Sequence, residues 1–274
     1  MHPVERTIIE PGASARWFWR DCWKRRGFVA AMAWREVRVR YRQTALGAGW
    51  AILRPVLLTL ALTVVFEHIA RVPSGGVPYP LLVLAGLLPW QLVSGAMAEA
   101  GASVLAHAHI VGKVYFPRVA LPVAAVFVCV IDAAVAIFPL GGLMVWYGWR
   151  PGWSLLALPA FIGLAIIAAL GVGILLSALV VRWRDLRFVI PFMVQFGLFA
   201  TPVGFASSSV PALLQPWMYI NPVAGAIDGV RWSLFATAPA SWWGVAGSGL
   251  LAILLLMVAL TVFRNLERLF ADIA

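Results

Sequence analysis

The sequence predicts an all-α integral membrane protein with six transmembrane helices, and three observations support this fold class. Hydrophobic residues make up 62% of the chain and charged residues only 12%, whereas soluble domains carry about 25% charged residues. The apolar residues are grouped in six stretches, each near the roughly 17 to 25 residues that cross a bilayer. Because lipid offers the backbone no hydrogen-bond partner, each stretch is expected to be helical. The predicted spans are 49–69, 80–100, 119–146, 155–181, 188–205 and 243–263.

The positive charges are distributed asymmetrically around these spans. Eighteen of the 21 Lys and Arg residues precede the first span or border span ends on the same side, and only Arg71, Arg150 and Arg231 lie on the other. The positive-inside rule therefore predicts a bacterial inner-membrane protein with both termini in the cytoplasm. Because the basic residues border spans and form no separate domain, anionic lipids rather than nucleic acid are the expected partner.

Residues 1–48 form the predicted cytoplasmic N-terminal region, which contains an amphipathic interface helix. Ala30, Trp34, Val37 and Tyr41 recur at helical spacing, and Arg35, Arg38 and Arg42 lie on the neighbouring face. Such a pattern is typical of a helix that lies along the membrane surface. Two interpretations stay open: a topological anchor, or a helix that guides an anionic substrate or contacts a partner subunit.

The remainder, residues 49–274, forms the predicted transmembrane domain, with one modest cytoplasmic loop between the second and third spans. Residues 103–111 have helical character and are followed by Gly112 and Lys113, which makes them a candidate docking helix. A metal site is not expected here, because the two histidines of this segment have no carboxylate or cysteine nearby in sequence. The candidate docking residues are Ser103, Val104, Leu105, His107, His109 and Val111.

Residues 206–241 are apolar but are divided by prolines into pieces of at most about 16 residues, too short to span comfortably. The prediction is two short re-entrant helices that dip into the outer leaflet between the fifth and sixth spans. Asp228 and Arg231 are three residues apart and are expected to neutralise each other.

Few residues carry polar chemistry. The two lysines, Lys24 and Lys113, are followed by Arg25 and Val114, so the chain has no P-loop and is not expected to be an enzyme or to hold a cofactor. Asp132 lies about 13 residues into the third span, which corresponds to a depth of roughly 20 Å. It suits either proton coupling or a structural ion pair, and the structural pair is the favoured interpretation.

Four phenylalanines share one face of the fifth span at spacings of four, four and three residues. Aromatic faces pack against the C–H edges of sugars with little directional demand. The stripe therefore suits either a conduit for a glycan or ordinary packing against lipid or another helix. Its members are Phe188, Phe192, Phe196 and Phe199.

Five local patterns around the spans resemble those of one transporter family. They are VRYRQTALG at 39–47, AGLLPW at 85–90, KVYFPR at 113–118, NP at 221–222 and FRNLERLFAD at 263–272. In this order, and with this spacing over residues 34–274, they resemble the permease subunit of type-2 ABC exporters of polysaccharides, which handle O-antigen, capsule or teichoic acid.

The resemblance implies a homodimer that joins two copies of a separate ATPase, which binds the ATP, and that forms a channel for a lipid-linked glycan. By position, 103–111 resembles the coupling helix, and 206–241 resembles the periplasmic gate. The first and fifth spans would line the channel, with Arg54 extending the path of the substrate. An exporter of a drug or lipid with the same architecture is the alternative. Residues of the interfacial helix that would contact the anionic head group are Arg35, Arg38, Arg40, Tyr41 and Arg42.

Overall fold

A computed structural model of the chain describes residues 26–42, 49–111 and 116–267. These residues form helices joined by turns, and no β-strand occurs among them. Two of the helices include a π-helical turn, at Val64–Ile69 and at Ala96–Ala100. The helices are α1 (Arg26–Arg42), α2 (Gly49–Ile69), α3 (Tyr79–Ala106), α4 (Ala108–Val111), α5 (Ala120–Trp146), α6 (Leu158–Arg182), α7 (Leu186–Ala200), α8 (Gln215–Met218), α9 (Ala224–Phe235) and α10 (Trp242–Leu266).

Five helical segments are long and apolar enough to cross a membrane: α2, α3, α5, α10, and α6 with the 3-10 turn Trp153–Ala157 that precedes it. The predicted fifth span corresponds to α7, which has 15 residues and a length of about 22 Å. It ends at Ala200 because Thr201 precedes Pro202 and takes an extended conformation, with φ −113° and ψ 142°. The predicted end at residue 205 is therefore wrong, and the count of six spans stays a prediction.

The centre of the bundle is α3. In the most apolar 18-residue stretch of α3, 78% of the residues are buried, whereas in the corresponding stretches of α2 and α10 only 22% are. Leu81, Leu84 and Leu87 of α3 are almost completely enclosed, and the helix packs against α2, α5, α6 and α9. A helix that is apolar on all sides is expected at such a position. The open faces of α2 and α10 are left at the outside of the subunit.

The small residues of α6 bring two helices close together. Ala165, Ala169, Gly173 and Ser177 recur every four residues and are all buried. A Cβ atom added at Gly173 would lie 2.8 Å from the Cβ of Ala100 in α3. Small side chains at this spacing therefore allow α6 and α3 to approach closely.

The N-terminal helix α1 runs beside the first half of α5. Phe28 contacts Phe116, with ring centroids 5.1 Å apart, just before α5 begins. The buried positions of α1 are Met32, Ala33 and Val37. Trp34, which the pattern assigned to the apolar face, is 56% exposed, so this side of α1 is open to lipid, and its position on the membrane surface stays a prediction.

The segment between α7 and α10 contains a 3-10 turn at Ser207–Ser209, the single-turn helix α8 and the 12-residue helix α9. Nearly all of α9 is buried among other helices. Insertion of this segment into the outer leaflet stays a prediction.

The two ends of the bundle differ in chemistry. At one end, Arg118 Nη1 donates a 2.6 Å hydrogen bond to the Glu267 carbonyl, which joins the start of α5 to the end of α10. At the other end, Trp146, Trp153 and Trp243 are 83 to 90% exposed. Tryptophans concentrate at both interfaces between a membrane and water, so these rings indicate where this end of the bundle meets one of them.

Candidate functional site

A charged cluster joins α1 to two of the spans. Arg40 Nη2 lies 3.1 Å from Asp132 Oδ2 in α5 and 3.5 Å from Glu99 Oε1 in α3. The Tyr41 hydroxyl donates a hydrogen bond to Asp132 Oδ1. The pKa of Tyr41 is raised, mainly by burial and then by this contact with the carboxylate, so the phenol keeps its proton as a donor. Asp132 therefore has the partners that the structural interpretation expects.

The level of Asp132 in the bundle differs from the expected depth of 20 Å. Asp132 lines a cavity together with Trp50 and Arg54 of α2 and Glu99 of α3. It thus lies beside the beginning of the first span, because α3 and α5 extend beyond the start of α2. Counting residues from the start of the third span therefore places Asp132 deeper than its level beside the start of the first span, and its side chain is 26% exposed.

A second contact connects α1 to the candidate docking segment. His107 Nε2 lies 3.2 Å from Glu36 Oε1, and His107 Nδ1 lies 2.9 Å from the Ser103 carbonyl oxygen. The helix that contains Ser103 is the end of α3, and a turn at His107 separates it from α4. The expected single helix over 103–111 is therefore divided in two.

The division changes which docking residues are accessible. Ser103 and Val104 are buried in the bundle, and the Ser103 hydroxyl donates to the Ala100 carbonyl at 2.7 Å. Leu105 is partly buried, and His109 is exposed. The side chain of Val111 lies outside the described residues. Docking by Ser103 and Val104 themselves is incompatible with this packing, because these residues continue the span.

The predicted entrance arginines also differ from one another. Arg35 and Arg38 are exposed on α1, whereas Arg40 is occupied by its two carboxylates. The side chain of Arg42 lies outside the described residues. Arg54 is exposed on α2 and has no ion pair among the described residues. Among the predicted site arginines whose side chains are described, Arg35, Arg38 and Arg54 are thus exposed and Arg40 is paired.

The four phenylalanines of α7 form one exposed stripe, as their spacing predicts. Their exposed fractions are between 58 and 69%, and the opposite side of the helix buries Ile190. A Cβ atom added at Gly197 would lie 2.5 Å from the Trp90 ring of α3, so α7 packs against the bundle through the side that contains Gly197. The rings therefore face lipid or another molecule. They are Phe188, Phe192, Phe196 and Phe199.

A buried polar network in α9 was only partly foreseen. Arg231 donates to the carbonyl oxygens of Leu82, Val203 and Phe205 at 2.7 to 3.1 Å. Asp228 instead accepts a 2.6 Å hydrogen bond from the Tyr219 hydroxyl. No direct ion pair joins these two residues, so each charge stabilises the other only through Coulomb attraction at longer range. In the sequence, this network is indicated only by two charged residues in an otherwise apolar segment. That pattern does not reveal which carbonyl groups Arg231 contacts.

Comparison with known proteins agrees with this architecture. The chain is 27% identical to the O-antigen export system permease protein RfbA of Klebsiella pneumoniae over 245 residues, covering 87% of this chain and 92% of the relative. It is 23% identical to the protein of the same name from Myxococcus xanthus, covering 92% and 97%. The Polysialic acid transport protein KpsM of Escherichia coli is 24% identical, with 73% and 78% covered. Residues 28–235 match the family model for ABC-2 type transporters, so the chain belongs to the ABC-2 type transporter family of membrane proteins.

Proposed function

We propose that this chain is the channel-forming permease subunit of an ABC exporter, and that it carries a lipid-linked polysaccharide of the O-antigen kind across the bacterial inner membrane. The observation that carries the proposal is its similarity, over nearly the full length of both chains, to permeases named for O-antigen export in two genera. A third kind of relative is named for polysialic acid transport. Polysaccharide is the cargo that these names share.

The open faces of the subunit support a homodimer with the channel between two copies. Leu57, Leu60 and Val64 of α2 are exposed, and the phenylalanine stripe of α7 is exposed as well. Two copies that face each other through these helices would enclose a path lined by aromatic rings. Such rings give a sliding sugar chain many weak contacts without a deep binding well.

The energy would come from ATP bound by a separate ATPase subunit, in two copies, since the sequence of this chain has no P-loop. The accessible docking surface is the turn at His107 and the helix α4. Glu36 of α1 contacts His107, and Arg40 of α1 contacts Glu99 of α3. A movement of the docking turn would therefore move α1 and α3 together. An ATPase that binds one position of this turn more tightly would bias the channel.

The anionic head group of a lipid-linked glycan would meet the cytoplasmic ends of the helices. Arg35 and Arg38 are exposed there and can form charge-assisted hydrogen bonds with phosphate oxygens. This arrangement requires both termini in the cytoplasm, which the charge asymmetry supports.

Depletion of this protein in its native cell tests the proposal. We expect lipid-linked glycan to accumulate on the cytoplasmic side while the surface loses polysaccharide. Restoring the chain with Phe192→Ala and Phe196→Ala should rescue export poorly. The matched control Phe138→Ala, at a ring that is exposed on α5, should rescue it fully. An unchanged glycan distribution after depletion would contradict glycan export and favour a drug or lipid as cargo.

A further inference from the structure

A cavity inside the subunit has the chemistry of a sugar site. It lies between α1, α2, α3 and α5 and has a volume of about 480 Å³, within the range of about 300 to 1,000 Å³ that is usual for ligand pockets. We call it the α2–α5 cavity. The residues of its wall that carry the argument are Trp50, Arg54, Gln91, Ser94, Glu99 and Asp132.

The charges around the α2–α5 cavity balance. Arg40 and Arg54 supply two cations, and Glu99 and Asp132 supply two carboxylates. Arg40 lies within ion-pair distance of both carboxylates. Since the Coulomb attraction of the two signs for a charged ligand nearly cancels, the cavity favours a ligand without net charge.

The wall nevertheless has unused hydrogen-bonding capacity. Among the described residues, the side chains of Gln91 and Arg54 have no hydrogen-bond partner. The amide both donates and accepts, the guanidinium donates, and the nearby carboxylates accept. A sugar ring suits this mixture, because each hydroxyl group is a donor and an acceptor at once.

Two further features fit a ring-shaped polyol. The Trp50 indole is 42% exposed and lines the cavity, where it offers a flat surface for the C–H face of a sugar. The π-helical turn Ala96–Ala100 contains Glu99, whose carboxylate lines the same cavity. Single π-helical turns inside α-helices are frequent at functional sites.

We propose that the α2–α5 cavity binds an uncharged sugar unit of the exported glycan, as a site separate from the phenylalanine stripe of α7. This proposal rests on the proposed function for the identity of the ligand. The site belongs to one subunit, so each copy would hold its own sugar. The sugar would lie beside the start of the first span, next to the charged cluster that joins α1 to α3 and α5.

Cysteine protection tests the site in the full chain, held in lipid nanodiscs without sugar-based detergent. The sequence has two cysteines, Cys22 and Cys129, so Cys22→Ser and Cys129→Ala give a cysteine-free background. Ala98→Cys then places a thiol at an exposed position of the cavity wall. Asp185→Cys, exposed in the turn between α6 and α7 and outside the cavity wall, is the matched control. Labelling with a small methanethiosulfonate is followed by mass spectrometry while lipid-free glycan, hydrolysed from the native cell surface, is added.

At ten times the Kd of the glycan, labelling at position 98 should slow about elevenfold, because only the empty site reacts. Labelling at position 185 should not change. Gln91→Leu should raise the glycan concentration needed for protection by roughly two- to tenfold. Inorganic pyrophosphate alone should give no protection.

Three results would overturn the sugar site: no protection at position 98, equal slowing at positions 98 and 185, or protection by pyrophosphate but not by glycan. The depletion experiment separates this proposal from the proposed function. Glycan trapped in depleted cells, together with unprotected position 98, refutes the site alone. Protection at position 98, together with normal surface polysaccharide after depletion, refutes the export function.

Discussion

Replacement of Arg231 by leucine should destabilise the whole segment that follows α7. The guanidinium is fully buried and holds the carbonyl oxygens of Val203 and Phe205 at 2.7 and 2.8 Å, besides that of Leu82 in α3. The Leu82 carbonyl belongs to a helix, whereas the other two lie in a turn and would lose a charged donor. At about 1 to 3 kcal/mol for each buried carbonyl left without a partner, the loss is about 2 to 6 kcal/mol. Removing the cost of burying a cation offsets part of it.

Thermal unfolding of the purified protein, followed by the fluorescence of a thiol dye or of tryptophan, measures this effect. A loss of about 2 kcal/mol or more should lower the apparent Tm by at least roughly 4 °C for a chain of this size. Arg231→Lys should be intermediate, since one ammonium group cannot reproduce the planar array of donors. Arg150→Leu, at an exposed arginine, is the control and should leave the Tm unchanged. Equal Tm values for Arg231→Leu and Arg150→Leu would refute this account of α9.

Three other predictions concern packing and charge, with the apparent Tm as the measurement. Gly173→Ala should be destabilising by about 1 to 3 kcal/mol, because its Cβ atom would lie 2.8 Å from a side chain of α3. The control Gly163→Ala places its Cβ atom in open space and should be neutral or stabilising. Equal losses of stability in the two variants would contradict the close approach of α6 and α3. Thr59→Val should keep or raise stability, since the buried Thr59 hydroxyl has no partner among the described residues; a loss larger than that of Ser233→Ala, whose hydroxyl donates to a carbonyl at 2.7 Å, would be evidence against it. Burial raises the pKa of Glu267 above its ordinary 4.5, so the folded state favours the neutral carboxyl and loses stability as the pH rises above that value. Glu267→Gln should therefore raise the Tm at pH 7 but not at pH 4. A difference in Tm that does not depend on pH would contradict this.

The sequence predicts the membrane helices well because each depends on a long apolar run, which is a local property. The five long spans occur within a few residues of their predicted positions. The small-residue stripe that contains Gly173 and the phenylalanine stripe that contains Phe196 were also predictable, since helical periodicity decides which residues share a face. What each face contacts was not predictable for Phe196, and two interpretations stayed open.

The contacts that failed prediction depend on where helices lie relative to one another. Asp132 is distant in sequence from Arg40 and Glu99, and no periodicity links them. The buried face of α1, formed by Met32, Ala33 and Val37, depends on its contact with α5, which the sequence of α1 alone does not show. The helix boundary at His107 is likewise set by tertiary contacts, because Glu36 of α1 and the end of α3 both engage that imidazole.

Photo-crosslinking of glycan during export tests the central claim most directly, namely that this chain encloses the path of a polysaccharide along α7. A benzoylphenylalanine residue introduced at Phe196 in cells that synthesise radiolabelled glycan should crosslink to the glycan on illumination. The same residue at Phe138 on α5 should crosslink only to lipid. Both positions are exposed in the subunit, so accessibility alone does not separate them. Glycan attached at position 196 but not at position 138 is the predicted result, and equal labelling, or lipid alone at both positions, would contradict it.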